Sequence, residues 1–127
     1  RLLGDREYFM AFQQMNRAIQ NPVFFLVFFG AMVLLPVCAW RYYNTPIFSM
    51  VAVAAGSYVL GVIAVTIFGN VPINNTIEAA DINASAASLK QLRTTVEASW
   101  NRLNTIRTCY SVLSIVTIVL ACIKYSK

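Results

Sequence analysis

The sequence predicts an all-α fold, a transmembrane helical bundle that forms one integral membrane domain over residues 1–127. Three observations lead to this fold class. Hydrophobic residues make up 58% of the chain and charged residues only 12%, against roughly 25% charged in an ordinary soluble domain. Three apolar stretches are long enough to cross a bilayer. A soluble fold of this length could not enclose so much apolar surface.

An amphipathic helix over residues 5–19 is the first predicted element. Its apolar side chains recur at steps of three and four residues, which is the spacing of one helical face. These side chains are Tyr8, Phe12, Met15 and Ile19. Asp5 is the expected N-terminal cap, and Asn21 with Pro22 predicts a turn directly after the helix. The turn leads into the first membrane span.

Three apolar stretches are the predicted membrane spans, at residues 23–40, 47–69 and 106–124. Each has at least the roughly 18 residues that cross the hydrocarbon. Aromatic and basic residues follow the first and third stretches, as a membrane interface selects. The middle stretch is rich in alanine and glycine, which let neighbouring helices approach closely. Pro36 lies inside the first span and is expected to bend it.

The connections between the spans set the topology. Residues 41–46 are few, so the first two spans must form an antiparallel hairpin. Residues 70–84 are rich in asparagine and contain Pro72, a composition that argues against a continued helix. From about residue 85 the apolar side chains return to helical spacing. A second amphipathic helix over residues 85–105 is therefore expected to run straight into the third span.

The two membrane faces differ in polarity. We call the face beside Asn21 the upper face; all five acidic residues and seven of the ten basic residues lie there. The lower face carries only Arg41, Lys124 and Lys127. Counting basic residues near span ends would place the upper face inside the cell. The short basic hairpin and basic tail favour a cytoplasmic lower face, which is the orientation we expect.

Asparagine is concentrated at the upper face. Eight amides lie there, most of them beside a span end: Asn16, Asn21, Asn70, Asn74, Asn75, Asn83, Asn101 and Asn104. Amides both donate and accept hydrogen bonds, so they can tie together helix ends that water does not reach. One interpretation is a hydrogen-bonded knot that closes the bundle. The other is an open polar pocket.

One face of the third span carries polar residues where the helix enters the membrane. They are Trp100, Asn104, Arg107, Thr108 and Ser111. An arginine at the lip of a span either pairs with a carboxylate or waits for an anionic or carbonyl ligand. Glu78 and Asp81 are its candidate partners. The alternative is that Arg107 reaches lipid headgroup phosphates.

Several function classes are disfavoured by composition. The chain has no histidine, which is the commonest general base and metal ligand, and we predict no metal site. The three cysteines lie in or beside apolar runs and are expected to pack as small buried hydrophobes: Cys38, Cys109 and Cys122. The basic residues are divided between two membrane faces, unlike those of a nucleic-acid-binding surface, so no nucleic acid is expected as a partner.

Three sequence blocks occur in a recognisable order. The first contains Asp5-Arg6-Glu7, Phe12-Gln13, Asn16-Arg17-Ala18-Ile19 and Asn21-Pro22-Val23-Phe24. The second is Gly69-Asn70-Val71-Pro72-Ile73-Asn74-Asn75. The third is Trp100 followed by Asn104-Thr105-Ile106-Arg107-Thr108. Together they resemble the anthrone-oxygenase-like family of small integral membrane proteins, a domain of unknown function in bacteria.

The resemblance implies a four-helix membrane bundle with a further span before Arg1, so that this chain would lack the first helix. It also implies a location in the inner (plasma) membrane of a bacterium. The residues that carry over are Asn16, Arg17, Asn21, Asn70, Pro72, Asn74, Trp100, Asn104, Arg107 and Thr108. Many relatives have a histidine where this chain has Thr105. No histidine base or histidine-bound metal is therefore carried over.

Two functions from different classes follow as hypotheses. The first, implied by the resemblance, is a cofactor-independent oxygenase that takes a lipophilic aromatic or quinone-like molecule from the lipid bilayer. In this hypothesis Arg107 and Asn104 bind the developing oxyanion, and Glu78 or Asp81 acts as the base. The ligand site is then completed by the other residues of the pattern: Asn16, Arg17, Asn21, Asn70, Asn74, Trp100 and Thr108.

The second hypothesis is a non-catalytic membrane module. It would be a carrier or sensor of a small lipophile, or an accessory subunit of a larger membrane complex. The apolar and small-residue faces of the spans suit helix partners as well as a ligand. The expected partners are then a second copy of this chain in a homo-oligomer or a different membrane subunit.

Overall fold

The structure is a computed structural model that describes residues 3–126. Within that range it contains helices and turns and no β-strand. The four helices are α1 (Asp5–Ile19), α2 (Pro22–Arg41), α3 (Phe48–Glu78) and α4 (Ala86–Tyr125). Helices α2, α3 and α4 are long and apolar enough to cross a membrane. The predicted all-α class with three spans is therefore confirmed.

Helix α1 differs from its prediction in its cap and in its buried face. The cap position is Gly4, and no side chain caps the helix. Asp5 lies in the first turn instead, where its Oδ1 accepts a hydrogen bond from Arg93 of α4 at 3.0 Å. The buried residues are Phe9, Phe12, Gln13 and Asn16. Two members of the predicted stripe, Met15 and Ile19, remain exposed because α1 packs on α3 and α4 through a face rotated away from them.

Helix α3 is longer than the sequence suggests, and the predicted break after residue 69 is wrong. The helix continues through Pro72 to Glu78. Proline is tolerated there because it lies in the first turn of the α-helical segment Val71–Glu78, directly after a widened segment. The end of α3 is held by α1, since Gln13 Nε2 donates to the carbonyls of Ile77 and Ala80, each at 3.0 Å.

Two segments of α3 are π-helical, Ser57–Ala64 and Thr66–Asn70. In a regular α-helix each step of four residues turns the side chain by about 40°, because there are 3.6 residues per turn. The i→i+5 bonds of a π-helix give roughly 4.4 residues per turn and reverse that drift. Five residues at intervals of four therefore stay on one side of α3: Tyr58, Val62, Thr66, Asn70 and Asn74.

Helix α4 is one continuous element of 40 residues. Ser85 caps it, with Oγ accepting from the backbone N–H of Ser88 at 3.2 Å. The amphipathic segment runs straight into the apolar span, as predicted. Cys109 and Cys122 lie on the outer surface of α4, so the expectation that they are buried is wrong. That surface is apolar and faces no other helix of the described chain, whereas Cys38 of α2 is half-buried.

Helix α2 meets α4 at the lower end of the molecule only. A small core of Ile47, Val51 and Ala121 joins the three spans there, and the rings of Tyr42 and Tyr125 pack edge to face with centroids 5.4 Å apart. Helix α2 has no fully buried residue, and elsewhere it packs against α3 alone. It is continuous through Pro36. The upper halves of α2 and α4 therefore enclose a space between them.

Candidate functional site

A cavity of about 590 Å³ occupies the upper half of the molecule. All four helices line it: the end of α1, the first half of α2, the upper two-thirds of α3 and the middle of α4. The open-pocket interpretation of the asparagine cluster is thus favoured over the closed knot. A pocket of this size, mostly apolar with a few polar groups, is typical of a small-molecule site.

The α2 side of the cavity is a wall of phenylalanines. It consists of Phe24, Phe25, Phe28 and Phe29, with Val27 between them. Along the helix the rings stack in pairs, Phe24 on Phe28 with centroids 5.3 Å apart and Phe25 on Phe29 at 6.1 Å. Tyr58 of α3 ties this wall to the bundle by donating its hydroxyl to the Phe28 carbonyl at 3.1 Å. This wall offers aromatic faces and no charge.

The opposite side is polar and is formed by α3 and α4. At its upper edge the indole Nε1 of Trp100 donates to Asn74 Oδ1 at 2.9 Å. Asn16 of α1 donates to the Asn74 carbonyl over 3.5 Å, and Phe12 meets the Trp100 ring edge to face at 5.0 Å. These contacts hold Trp100 in one orientation at the roof of the cavity.

Among the residues that line the cavity, Asn70 has a buried side chain without a hydrogen-bond partner. Its side chain lines the cavity and is only 1% exposed. Neither its Oδ1 nor its Nδ2 has a hydrogen-bond partner within the described residues. Buried amides are nearly always paired, and an unpaired one costs about 1–3 kcal/mol. The amide therefore keeps unused capacity both to donate and to accept, and a ligand oxygen would meet it once the side chains that cover it move aside.

Arg107 of α4 lines the same cavity as Asn70 of α3. Its Nη2 donates to Asn104 Oδ1 at 2.6 Å, and its backbone carbonyl accepts from Ser111 Oγ at 2.9 Å. The two helices touch where the backbone of Gly69 meets the side chain of Leu103, since a Cβ added to Gly69 would lie 3.0 Å from Leu103. Asn70 is next to this contact and Arg107 one turn below it. The Arg107 side chain points back up α4 to reach Asn104.

The predicted pairing of Arg107 with Glu78 or Asp81 is wrong. Glu78 Oε1 instead accepts from Arg17 Nε at 2.7 Å, and Asp81 accepts from the backbone N–H of Asn83. Because α3 continues as a helix, Glu78 lies about 13 Å above the contact between α3 and α4, at 1.5 Å per residue. Neither carboxylate lines the cavity. The structure therefore places both proposed bases outside the site.

The remaining predicted site residues divide into two groups. Asn16, Asn70, Asn74, Trp100 and Arg107 line the cavity. The others act on the backbone or on neighbours: Asn21 caps α2 by accepting from Phe24 N–H, Thr108 donates to the Asn104 carbonyl, Asn104 holds Arg107, and Arg17 pairs with Glu78. Sequence reasoning missed Tyr58 and Thr66 as lining residues. Their four-residue interval to Asn70 indicates one side of a helix only when the π-helical segments of α3 are known.

A charged cluster above the cavity holds α1 in place as its roof. Arg93 is only 3% exposed, and its guanidinium donates to Asp5, to Glu97 and to the Leu3 carbonyl. It also lies 4.3 Å above the ring of Tyr8. Burial raises the pKa of the Tyr8 hydroxyl, Glu97 raises it further, and Arg93 opposes the rise. The hydrogen bond to Glu97 is the main reason that the pKa of Arg93 is raised.

No group of three or more His, Cys, Asp or Glu side chains gathers anywhere in residues 3–126 in a way that could hold a metal ion. In comparisons with known proteins, the sequence model described as anthrone oxygenase matches residues 14–117. The match includes every polar cavity residue described above. Comparison with curated proteins finds no match, and comparison with solved structures finds none either.

Proposed function

The chain belongs to the anthrone oxygenase family, and from this premise we propose that it binds a flat, oxygen-bearing aromatic molecule in the upper cavity and oxidises it with dioxygen. The observation that carries the proposal is the unsatisfied amide of Asn70, buried in the wall of a largely apolar cavity. A ligand that brings one oxygen to Asn70 and an apolar ring system to the phenylalanine wall satisfies both surfaces at once.

The proposed binding mode follows from the two walls. The ring system lies between the phenylalanines of α2 and the polar side of α3 and α4, with Trp100 above it. Aromatic pairs in offset or edge-to-face contact add about 0.5–1.5 kcal/mol each beyond the burial of their area. The ligand oxygen lies between Asn70 and Arg107, the two donors that have spare hydrogen-bonding capacity. Asn104 keeps the guanidinium in position.

The proposed reaction uses these groups to stabilise an anion. An anthrone has an acidic CH₂ group opposite its carbonyl, and loss of one proton to water gives an enolate. Hydrogen bonds from Arg107 and Asn70 to the enolate oxygen favour this step. The enolate carbon gives electrons to dioxygen and forms a C–O bond. The peroxide anion takes a proton back from water, and the resulting hydroperoxide loses water. The carbon is oxidised to the second carbonyl of an anthraquinone, and dioxygen supplies that oxygen and the oxygen of the water.

The proposed route for the ligand is from the lipid. The upper halves of α2 and α4 do not pack on each other, and both line the cavity. The rings of Phe25 and Phe29 are about 40% exposed at this gap. In a bilayer the gap faces acyl chains, so an apolar molecule can reach the cavity without crossing water. We place the protein in the inner membrane of a bacterium as part of this proposal.

The test compares Asn70→Leu with Asn75→Leu, a matched change at an exposed position of the same helix. Each protein is purified in lipid nanodiscs, and anthrone binding is followed by quenching of Trp100 fluorescence in a Trp40→Phe background. Oxygen uptake and anthraquinone absorbance follow the reaction. Asn70→Leu should bind anthrone at least tenfold more weakly than the parent and should no longer convert it to anthraquinone. It should also raise stability by about 1–3 kcal/mol, because it removes an unpaired buried amide.

The Asn75→Leu protein should bind and react as the parent does. If Asn70→Leu binds and turns over anthrone normally, the proposed site is wrong. If Asn70→Leu unfolds more easily than the parent, Asn70 is a structural residue. Its amide then no longer supports a ligand site in the cavity.

A second candidate function rests on the exposure of α2. No residue of this span is buried, and its apolar side chains face outward on both flanks. This is consistent with a surface for a second copy or for another membrane subunit, in which case the protein is an accessory module without catalysis. Co-purification at a fixed ratio with another chain, together with protection of Val33 and Val37 from lipid-phase labelling, would favour this candidate. A monodisperse single chain that turns over anthrone would exclude it.

A further inference from the structure

The charge of the cavity is unbalanced. Of all the described residues that line it, Arg107 alone carries a formal charge. Its guanidinium donates to the neutral amide of Asn104, and its backbone carbonyl accepts from Ser111. It forms no ion pair with any carboxylate in residues 3–126. A cation that is partly removed from water and lacks a counter-charge favours the arrival of an anion.

The carboxylates nearest to the upper end are engaged elsewhere. Glu78 pairs with Arg17 outside the cavity, and Asp5 and Glu97 both pair with Arg93 in the cluster above it. No carboxylate of residues 3–126 lines the cavity, Glu7 and Asp81 included. A ligand that enters the cavity can therefore supply the missing negative charge.

Resting on the proposed function, we propose that the cavity selects its aromatic ligand in the anionic form, as a phenolate or enolate whose charged oxygen lies between Arg107 and Asn70. The ligand class is thus acidic hydroxyaromatic or enolisable molecules, and neutral aromatics of the same shape are disfavoured. Arg107 supplies the opposite charge, and Asn70 donates one hydrogen bond from Nδ2. An opposite charge within about 4–6 Å lowers the pKa of an acid by about 1–3 units.

The test titrates a ligand whose two protonation states differ in colour. We use 2-hydroxyanthraquinone as the probe, because its phenolate absorbs at longer wavelength than its phenol. The titration is carried out in zwitterionic nanodiscs, with empty nanodiscs as the reference. The expected pKa of the bound probe is 1–3 units lower than in the empty nanodiscs. Arg107→Met should abolish this difference, and Arg107→Lys should retain most of it.

The control variant is Arg102→Met, an exposed arginine on the same helix, which should leave the shift unchanged. A control ligand, 2-methoxyanthraquinone, cannot ionise and should bind at least tenfold more weakly than the hydroxy compound at neutral pH. That preference should disappear in Arg107→Met. Should this variant not purify in folded form, Arg107→Gln and Arg107→Lys provide the same comparison.

The outcomes separate this inference from the proposed function. If the probe binds beside Trp100 with an unshifted pKa, or if the shift survives in Arg107→Met, the anionic selectivity is wrong while the binding site stands. If neither anthraquinone saturates the Trp100 signal, both the site and the selectivity are wrong. A shift that is lost only in Arg107→Met supports both.

Discussion

Trp100 and Asn74 join the two longest helices at the upper edge of the cavity, through a hydrogen bond of 2.9 Å from the indole Nε1 to the amide Oδ1. The bond sets the plane of the indole ring, and Phe12 supports that ring from α1. A flat wall for a ligand is therefore built from three helices. Its geometry depends on the packing of the bundle above the membrane as well as on the ring itself.

Trp100→Phe should weaken both the fold and the ligand site. The substitution keeps an aromatic ring but leaves Asn74 Oδ1 without its donor, a loss of about 1–2 kcal/mol for a partly buried acceptor. Thermal unfolding in detergent measures the loss of stability, and anthrone turnover measures the effect on the site. Trp40→Phe is the control: Trp40 is 79% exposed at the lower end and should change neither quantity. Equal stability of the two variants would contradict the structural role of this bond.

Arg93→Met should release the start of α1. It leaves Asp5 and Glu97 without their shared cation and removes the contact with the Tyr8 ring. Breaking a buried ion pair costs about 3–5 kcal/mol, and we expect about 2–3 because the two carboxylates are a quarter exposed. Hydrogen exchange in α1 should rise before the spans open. Lys90→Met, at an exposed site one turn earlier in α4, should leave α1 protected.

Gly61→Ala should separate α3 from α4. A Cβ at this position would collide with the ring and Cβ of Tyr110, so one of the two helices must move. Overpacking of this kind costs about 1–3 kcal/mol. Gly56→Ala is the matched control, since no atom lies within 4 Å of its added Cβ. That control should stabilise the helix by about 0.5–1 kcal/mol.

Tyr110→Ala added to Gly61→Ala should restore part of the lost stability, because it removes the atoms that the new methyl group meets. A double-mutant cycle measures this coupling. Additive losses in the double variant would show that Tyr110 is not what requires glycine at position 61.

Gln13→Leu should fray the end of α3. The Nε2 of Gln13 donates to the carbonyls of Ile77 and Ala80, and leucine has a similar size but no donor. The Ile77 carbonyl keeps its bond from the Ala80 N–H, so the loss should be about 1–3 kcal/mol for two hydrogen bonds of about 0.5–1.5 kcal/mol each. Exchange of amides near Glu78 reports the fraying. Gln14→Leu, one residue along and exposed, should have no comparable effect; equal exchange in both variants would argue against a capping role for Gln13.

The sequence alone was enough to recognise three features: the three spans, the continuous α4, and the polar face from Trp100 to Ser111. Hydrophobic length and helical spacing are local properties of the chain, because each helix satisfies its own backbone in lipid. The grouping of asparagines at one end follows from the same counting of spans. These features depend on neighbouring residues along the sequence and hardly on how the helices pack.

The continuation of α3 beyond residue 69 could be seen only in the tertiary structure. The positions of several site residues depend on that continuation. Local composition argued for a break at Pro72, but contacts with α1 and a π-helical approach let the helix continue to Glu78. The extension carries Glu78 away from Arg107 and into a pair with Arg17. The π-helical turns align Asn70 with Tyr58 and Thr66 along one wall of the cavity. Such turns depend on packing between helices, which the spacing of residues in one segment does not encode.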